Sequence, residues 1–148
     1  MKFQIEINPD LLEEEVIIKA KKMDQRVQAL QEYLSTLEEK SLAFYKGTSE
    51  FFLNLDDLLF FETDGSGVVA HTSDQVYEVK LKLYELESGL PYYFCRISKS
   101  TIVNCRQIFS LDKSFSGTSK ASFYKSSKWT HVSRHYYPIL KERLEETR

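Results

Sequence analysis

Short apolar stretches separated by turn residues make up most of this chain. Residues 2–7 alternate apolar and polar side chains, and residues 14–20 contain three consecutive β-branched residues, so both predict strands. Asp24 is a candidate helix N-cap. After it, apolar positions recur every three or four residues, at Val27, Leu30, Leu34 and Leu37. This spacing predicts an amphipathic helix over about 24–38 and a β-β-α extension over residues 1–40.

From residue 41 onward the apolar runs are short and most end at a turn signal, which is typical of a mostly β fold. The strands predicted in this way are Ser41–Lys46, Phe51–Leu53, Leu58–Glu62, Val68–Thr72, Val76–Val79, Gln107–Leu111, Lys120–Tyr124 and Trp129–Val132. A short helix is predicted over 81–88, with Gly89 as its C-cap. The last helix begins either with Ser133 as N-cap or only at Pro138, because proline removes a backbone donor.

Apolar residues flank a short polar segment, Ser98-Lys99-Ser100, which we call the hook. Short hydroxyl side chains favour local backbone hydrogen bonds, so the hook is predicted as a turn or one helical turn between two strands. Arg96 and Lys99 place two cations there. Such a turn holds a lysine outward with little freedom, as a DNA-reading side chain requires, but a solvated surface turn has the same pattern.

Composition bounds the chain to one domain with a small extension: 1–40 as the extension and 41–148 as the main domain. No apolar run reaches the 18 residues of a membrane span, and the N-terminus does not resemble a secretory signal, so the expected location is the cytoplasm. Cys95 and Cys105 lie in apolar surroundings and are interpreted as small buried residues. Neither a phosphate-binding glycine motif nor a metal-spaced His/Cys cluster is present. We therefore expect no enzyme activity, no metal and no cofactor.

Charge is distributed unevenly along the chain although its net value is only −2. Residues 1–94 contain nine basic and 18 acidic residues, whereas residues 95–136 contain eight basic residues and Asp112 alone as an acid. A split of this size favours one surface that binds a polyanion such as DNA. A solvated basic half without a ligand is the alternative interpretation.

Five short segments occur in an informative order along the chain. They are Leu58–Glu62; His71-Thr72; Tyr84–Glu87 with Leu90-Pro91; Arg96–Ser100 with Ile102-Val103-Asn104; and Ser133-Arg134. Together they resemble the signature of the LytTR-type DNA-binding domain of bacterial transcription regulators, over roughly residues 44–146. The resemblance implies an elongated sandwich of small β-sheets with short helices, a mostly β (α+β) fold. It also implies that loops, rather than a recognition helix, enter successive major grooves of DNA.

The resemblance implies three places of DNA contact. They are the turn Asp64–Gly67, the hook at Lys99, and Arg134 at the last strand-to-helix junction. The turn is shorter than is usual in the family, so only phosphate contact by Ser66 is expected there. Arg96 and Ser98 belong to the same signature, although Arg96 is alternatively a half-buried partner of an acid such as Glu62. From the charge distribution we add three lysines as phosphate contacts: Lys113, Lys125 and Lys128.

The resemblance also implies partners. A LytTR-type regulator is expected to bind paired promoter repeats of double-stranded DNA as a homodimer. Regulators of this size are often restrained by a small membrane protein encoded nearby. The alternative function is a protein-interaction module or antagonist that has this fold but does not bind DNA, an interpretation that the short Asp64–Gly67 turn and the acidic net charge favour.

Overall fold

The computed structural model describes residues 1–37 and 42–147. Its helices are α1 (Gln25–Leu37), α2 (Leu83–Gly89) and α3 (Tyr137–Thr147). Its strands are β1 (Phe44–Lys46), β2 (Ser49–Phe51), β3 (Phe60–Asp64), β4 (Gly67–His71), β5 (Val76–Val79), β6 (Phe94–Arg96), β7 (Thr101–Asn104), β8 (Ile108–Asp112), β9 (Ser119–Phe123) and β10 (Trp129–Val132). The predicted domain boundary at residues 40/41 and the predicted strand start at Ser41 lie outside the described residues.

Seven strands form one antiparallel sheet in the order β2-β1-β5-β4-β3-β7-β6. Strand β3 is an interior strand between β4 and β7, and its apolar residues are buried on both faces. Consecutive residues of a strand point to opposite faces. Phe61 therefore packs in the cluster that includes Leu83 and Leu86 of α2, while Phe60 packs in the cluster formed with the second sheet and α3.

The second sheet has three strands in the order β10-β9-β8 and packs against the opposite face from α2. The Phe60 ring lies 5.4 Å from the Phe123 ring and nearly parallel to it. Leu140 of α3 is fully buried in the same cluster. Two sheets packed together with short helices confirm the predicted mostly β, α+β class.

A buried asparagine, Asn104, forms hydrogen bonds with two backbone segments that are distant in sequence. Its side-chain Nδ2 donates to the Leu58 carbonyl at 2.9 Å, and its Oδ1 accepts from the Arg106 N–H at 3.0 Å. The latter bond caps the 3-10 turn that begins at Cys105 and leads into β8. Asn104 thus connects the start of β3 to the chain that crosses between the sheets.

The helix predicted in the N-terminal extension is present and packs on the main domain. Asp24 caps α1, since its Oδ1 accepts from the Val27 N–H at 3.0 Å, and this bond lowers the pKa of the Asp24 carboxyl. On the domain side, Gln28 Nε2 donates to the Glu146 carbonyl at 2.6 Å. Arg106 pairs with Glu32 of α1 at 2.8 Å. Polar contacts therefore hold α1 against the domain.

The two strands predicted before α1 were wrong for this structure. Residues 2–7 and 14–20 have no strand partner and are exposed. Their alternating or β-branched pattern is suited to a sheet, but a strand forms only where another strand supplies hydrogen bonds. The β-β-α extension is accordingly a helix preceded by an exposed segment.

Asn54, which precedes the 3-10 turn at Leu55–Asp57, makes no side-chain cap to it. Two smaller predictions, both about helix ends, also changed. Gly89 is the last residue of α2, and Leu90 takes the cap position in extended conformation. The last helix begins at Tyr137, after a turn in which Ser133 Oγ accepts from the Tyr136 N–H at 3.3 Å. Pro138 lies in the first helical turn, where its missing N–H has no intrahelical partner to lose.

We predict that Asn104→Ala lowers the free energy of unfolding by about 2–4 kcal/mol, because the Leu58 carbonyl and the Arg106 N–H both lose their partner. Asn54→Ala is the matched control, since its side chain is exposed and makes no cap; its change should stay within about 0.5 kcal/mol. Urea denaturation of both variants measures this. Equal free energies of unfolding for the two variants would show that the hydrogen bonds of Asn104 do not stabilise the fold.

Candidate functional site

Four chain segments meet at one end of the two sheets, which we call the hook end. They are the β3–β4 turn (64–67), the hook (98–100), the β8–β9 loop (113–118) and the β10–α3 junction (133–136). The Thr63 N–H donates to the Ser100 carbonyl at 2.9 Å, which joins the end of β3 to the hook. The Ser133 N–H donates to the Ile97 carbonyl at 3.0 Å, which joins the junction to it. Four loops from both sheets therefore share one surface.

Arg96 fixes the conformation of the hook. Its Nε donates to the Ser98 carbonyl at 2.7 Å and its Nη2 to the Lys99 carbonyl at 2.5 Å. Its Nη1 pairs with Glu87 of α2 at 2.6 Å, and the side chain is 18% exposed. A planar guanidinium supplies these donors in a fixed fork, which a lysine does not. The sequence predicted an acidic partner for Arg96, but that partner is Glu87; Glu62 pairs with His71 instead.

The serines of the hook bond to each other and leave the lysine free. The Ser100 N–H donates to Ser98 Oγ at 3.2 Å, and the two hydroxyls lie 3.3 Å apart. This closes the turn predicted from their short side chains. Lys99 is exposed between them, and no described residue contacts its ammonium group. The hook therefore presents one cation on a backbone held by Arg96.

Arg134 lies beside the hook on the β10–α3 junction. Its side chain is exposed, and its Nε donates to the Gly117 carbonyl at 3.4 Å, a long bond. The β8–β9 loop that carries Gly117 is closed by Ser114 Oγ, which accepts from the Gly117 N–H at 3.1 Å. Lys113 at the start of this loop is also exposed, with Nζ 5.6 Å from the Tyr137 ring. Arg134 and Lys113 thus add two accessible cations to the hook end.

Ser66 completes the hook end from the β3–β4 hairpin. Asp64 pairs with Gly67 across the two strands, so the turn consists of Gly65 and Ser66 only. Gly65 has φ +64°, the left-handed conformation that a tight hairpin turn requires. The hairpin projects little beyond the strands, and its exposed polar side chains are Asp64 and Ser66.

The structure separates Lys125 and Lys128 from the other predicted contacts. Both belong to the β9–β10 turn, which lies at the opposite end of the strands, beside the β4–β5 turn. Ser126 Oγ donates there to the Ser73 carbonyl at 2.8 Å. Lys128 Nζ donates to the Gln75 carbonyl at 2.8 Å. Charge counting along the chain does not distinguish the two ends of a strand, so it could not show that Lys125 and Lys128 lie apart from the other candidates. Their contact with phosphates stays a prediction.

Lys128 also belongs to a row of three polar side chains, Glu62, His71 and Lys128, that contact one another. His71 Nε2 lies 2.8 Å from Glu62 Oε1, and its Nδ1 lies 3.2 Å from Lys128 Nζ. Burial lowers the pKa of His71 and of Lys128. The arrangement holds a neutral imidazole that donates to Glu62 and accepts from Lys128. These contacts give His71 a structural role at the end away from the hook.

Two exposed residues of β10 were missed by the sequence analysis: His131 towards the hook end, and Trp129 at the opposite end of the strand. His131 is exposed on β10 opposite Lys120, and its Nδ1 lies 3.1 Å from Thr118 Oγ1 in the β8–β9 loop. Alternation along β10 was the available signal: Thr130 and Val132 are buried, so Trp129 and His131 point outward. By the same alternation Trp129 is 47% exposed.

A family model and a solved structure both match this chain to the LytTr DNA-binding domain. The family model of the LytTr DNA-binding domain matches residues 49–145. A Staphylococcus aureus protein (strain NCTC 8325 / PS 47) described as an uncharacterized HTH-type transcriptional regulator is 36% identical, over 97% of this chain and 98% of its own length. A similarly described protein of strain bovine RF122/ET3-1 is 34% identical over the same shares. The solved LytTr DNA-binding domain from Bacillus cereus superposes with TM-score 0.64 at 20% identity, covering 71% of this chain and 97% of that one.

Two further observations concern the helices of the described residues. In the described residues, strands separate each α-helix from the next, so no helix-turn-helix pair occurs there. No α-helix within 1–37 or 42–147 is long and apolar enough to cross a membrane.

We predict that Arg96→Lys loosens the hook, because lysine cannot make the same three contacts at once. The Ser100 amide should exchange hydrogen several-fold faster than in the wild type, and stability should fall by about 1 kcal/mol. Lys99→Ala is the matched control and should leave both quantities unchanged. Native-state hydrogen exchange followed by NMR measures the amide. Wild-type exchange in Arg96→Lys would show that Arg96 does not hold the hook.

Proposed function

Because this chain belongs to the LytTR family of DNA-binding domains, we propose that it is a transcription regulator that reads promoter DNA through loops. The observation that carries the proposal is the hook end. Arg96, Lys99, Lys113 and Arg134 gather there from three stretches of the chain, namely β6 with the hook, the β8–β9 loop and the β10–α3 junction. Three of these side chains, those of Lys99, Lys113 and Arg134, are exposed. Charge repulsion among them opposes the folded state, whereas a polyanion bound to this surface relieves it.

The exposed polar side chains of the hook end suit different parts of a DNA duplex. Arg134 is exposed and makes only one long bond, so its guanidinium is available for the bidentate contact with guanine that is common in the major groove. Lys99 projects from a rigid turn and suits either a base edge or a phosphate. Lys113 and Ser66 are exposed polar groups that suit phosphates, which position the protein without reading sequence. Arg96 acts on Lys99 by holding the hook.

A homodimer on two promoter repeats follows from the small size of the hook end. One surface with three exposed cations covers only a short site, and two copies on adjacent repeats multiply the specificity. The proposal includes the partner that the family resemblance implies, a small membrane protein that restrains the regulator. The negative net charge of the whole chain limits non-specific DNA binding and leaves affinity to the hook end.

A protein-interaction module on the same fold is the second candidate. The observation that favours it is the β3–β4 turn, which has only Gly65 and Ser66 at its tip and carries Asp64 beside them. An acid there opposes approach of a phosphate backbone. This candidate requires that the chain bind no DNA even at low salt, where electrostatic contacts are strongest.

We predict that Arg134→Ala lowers affinity for the DNA upstream of the protein's own gene by about 1–3 kcal/mol and reduces discrimination against a scrambled duplex. Fluorescence anisotropy with both duplexes measures affinity and specificity together. Lys125→Ala is the matched control, because it removes an exposed cation at the opposite end. A folded Arg134→Ala variant with wild-type affinity would exclude Arg134 from the interface, and equal weak binding of wild-type protein to both duplexes would favour the interaction module.

Lys113→Ala should weaken binding to both duplexes alike, because a phosphate contact carries no sequence information. The slope of log affinity against log salt concentration should fall in magnitude by about one, the contribution of one released counterion. Titrations at four salt concentrations give the slope. Lys125→Ala again serves as control, and its slope should match the wild type. If Lys125→Ala changes the slope and Lys113→Ala does not, DNA binds the other end of the sheets.

A further inference from the structure

The first 18 residues carry apolar side chains that no other described part of the chain covers. Nine large apolar residues are exposed there: Met1, Phe3, Ile5, Ile7, Leu11, Leu12, Val16, Ile17 and Ile18. Phe3 and Ile7 reach 89% and 87% exposure. So many exposed apolar side chains in one short segment favour an interaction site.

The helix that follows shows the same feature. Leu30, Tyr33 and Leu37 of α1 are 36%, 63% and 62% exposed and lie on one side of the helix, three and four residues apart. Gln28 instead faces the domain and is buried. Val27 is buried beside Gln28, so α1 directs a mixed side inward and leaves the apolar stripe of Leu30, Tyr33 and Leu37 facing outward. Two apolar surfaces, the N-terminal segment and the α1 stripe, lie close together in sequence.

We propose that residues 1–7 pair antiparallel with the same residues of a second copy of this chain, centred on Gln4. This identifies the interface of the homodimer and rests on the proposed function only for the use of that dimer on DNA. In this register Lys2 lies opposite Glu6 of the other copy, and the pair occurs twice. Phe3 lies opposite Ile5 and Met1 opposite Ile7, so all eight apolar side chains share one face of the ribbon.

Charge selects this register among those that keep the apolar residues on one face. Shifting the centre to Ile5 places Glu6 opposite Gln4 and Lys2 opposite Asn8, so neither charge finds an opposite charge. In a parallel in-register ribbon, Lys2 lies beside Lys2 and Glu6 beside Glu6 of the other copy. Such pairs of like charges are destabilising. Only the Gln4-centred pairing neutralises both charges. The sequence Lys2–Glu6 is thus complementary to itself, which a two-fold dimer requires.

The α1 stripes provide a cover for the apolar face of the ribbon. Seventeen residues separate Ile7 from Gln25, and an extended chain of that length spans up to about 60 Å, so reach does not limit the contact. A two-stranded ribbon alone is marginally stable in water. Packing its apolar face on the Leu30, Tyr33 and Leu37 side chains of both copies removes from water the two surfaces that a single chain leaves exposed.

Disulfide trapping tests the register directly. Paired residues of antiparallel strands have Cα atoms about 4.5–5.5 Å apart, which suits a disulfide. Under mild oxidation, Gln4→Cys should form a covalent dimer in high yield, because Gln4 faces its own copy. Glu6→Cys alone should not, since its two copies lie about 14 Å apart along the strands. Mixing Lys2→Cys with Glu6→Cys protein should give the heterodimer.

The wild-type chain is the background control, because its own thiols, Cys95 and Cys105, are buried. Trapping of Glu6→Cys with itself, or failure of Gln4→Cys, would overturn the Gln4-centred pairing. A monomer in sedimentation equilibrium at micromolar concentration would overturn the interface altogether.

Charge reversal provides an independent check by sedimentation. Lys2→Glu and Glu6→Lys each place like charges opposite one another twice per dimer, so each should raise the dimer dissociation constant about ten-fold. The double variant restores both pairs and should return to the wild-type value. A double variant whose dissociation constant is raised by the product of the two single effects would exclude the pairing of Lys2 with Glu6. None of these residues lies at the hook end, so binding to a single-repeat duplex should stay unchanged.

The single-repeat duplex separates this inference from the proposed function. If all N-terminal variants bind it normally but the wild type is monomeric, the dimer interface is wrong and the DNA-reading role stands. If the wild type is trapped through Gln4→Cys but binds no duplex, the interface stands and the proposed function fails.

Discussion

The three-pronged contact of Arg96 is the interaction on which the candidate site depends. Its guanidinium joins the Ser98 and Lys99 carbonyls of the hook to Glu87 of α2. Because α2 packs on one face of the large sheet through Leu83 and Leu86, the conformation of the hook is coupled to that core. A lysine on such a turn meets its ligand with little loss of conformational entropy, which raises affinity without added contacts.

The hook becomes part of a larger surface through backbone hydrogen bonds that join the two sheets. Ser133 donates to Ile97, and Thr63 donates to Ser100. Residues distant in sequence are therefore placed at one end of the fold. Lysines close in sequence to Arg134, such as Lys128, are at the other end and have structural partners. This division explains how a chain of net charge −2 presents a compact cationic surface.

Much of the fold was predictable from the sequence because local patterns determine it. The run Leu58–Glu62 predicted a buried strand, which the structure has as β3 (Phe60–Asp64), and Gly65 predicted the hairpin turn. The hook turn followed from Ser98 and Ser100. What failed depended on tertiary context. The pattern of residues 2–7 predicted a strand without showing whether a partner exists within one chain, and the partner of Arg96 depends on how α2 packs. The resemblance selected Lys99 and Arg134, which the structure brings to one end of the sheets. Only the strand register shows that Lys125 and Lys128 lie at the other end; the DNA contacts of all four stay predictions.

NMR titration of the labelled protein with its own upstream duplex shows most directly whether DNA binds the hook end. If it does, large amide shifts should appear at 64–67, 98–101, 113–118 and 133–135, with little change in the turns at 72–75 and 124–128. Changes concentrated at 72–75 and 124–128 would place DNA at the opposite end and exclude the hook end as the DNA-binding surface.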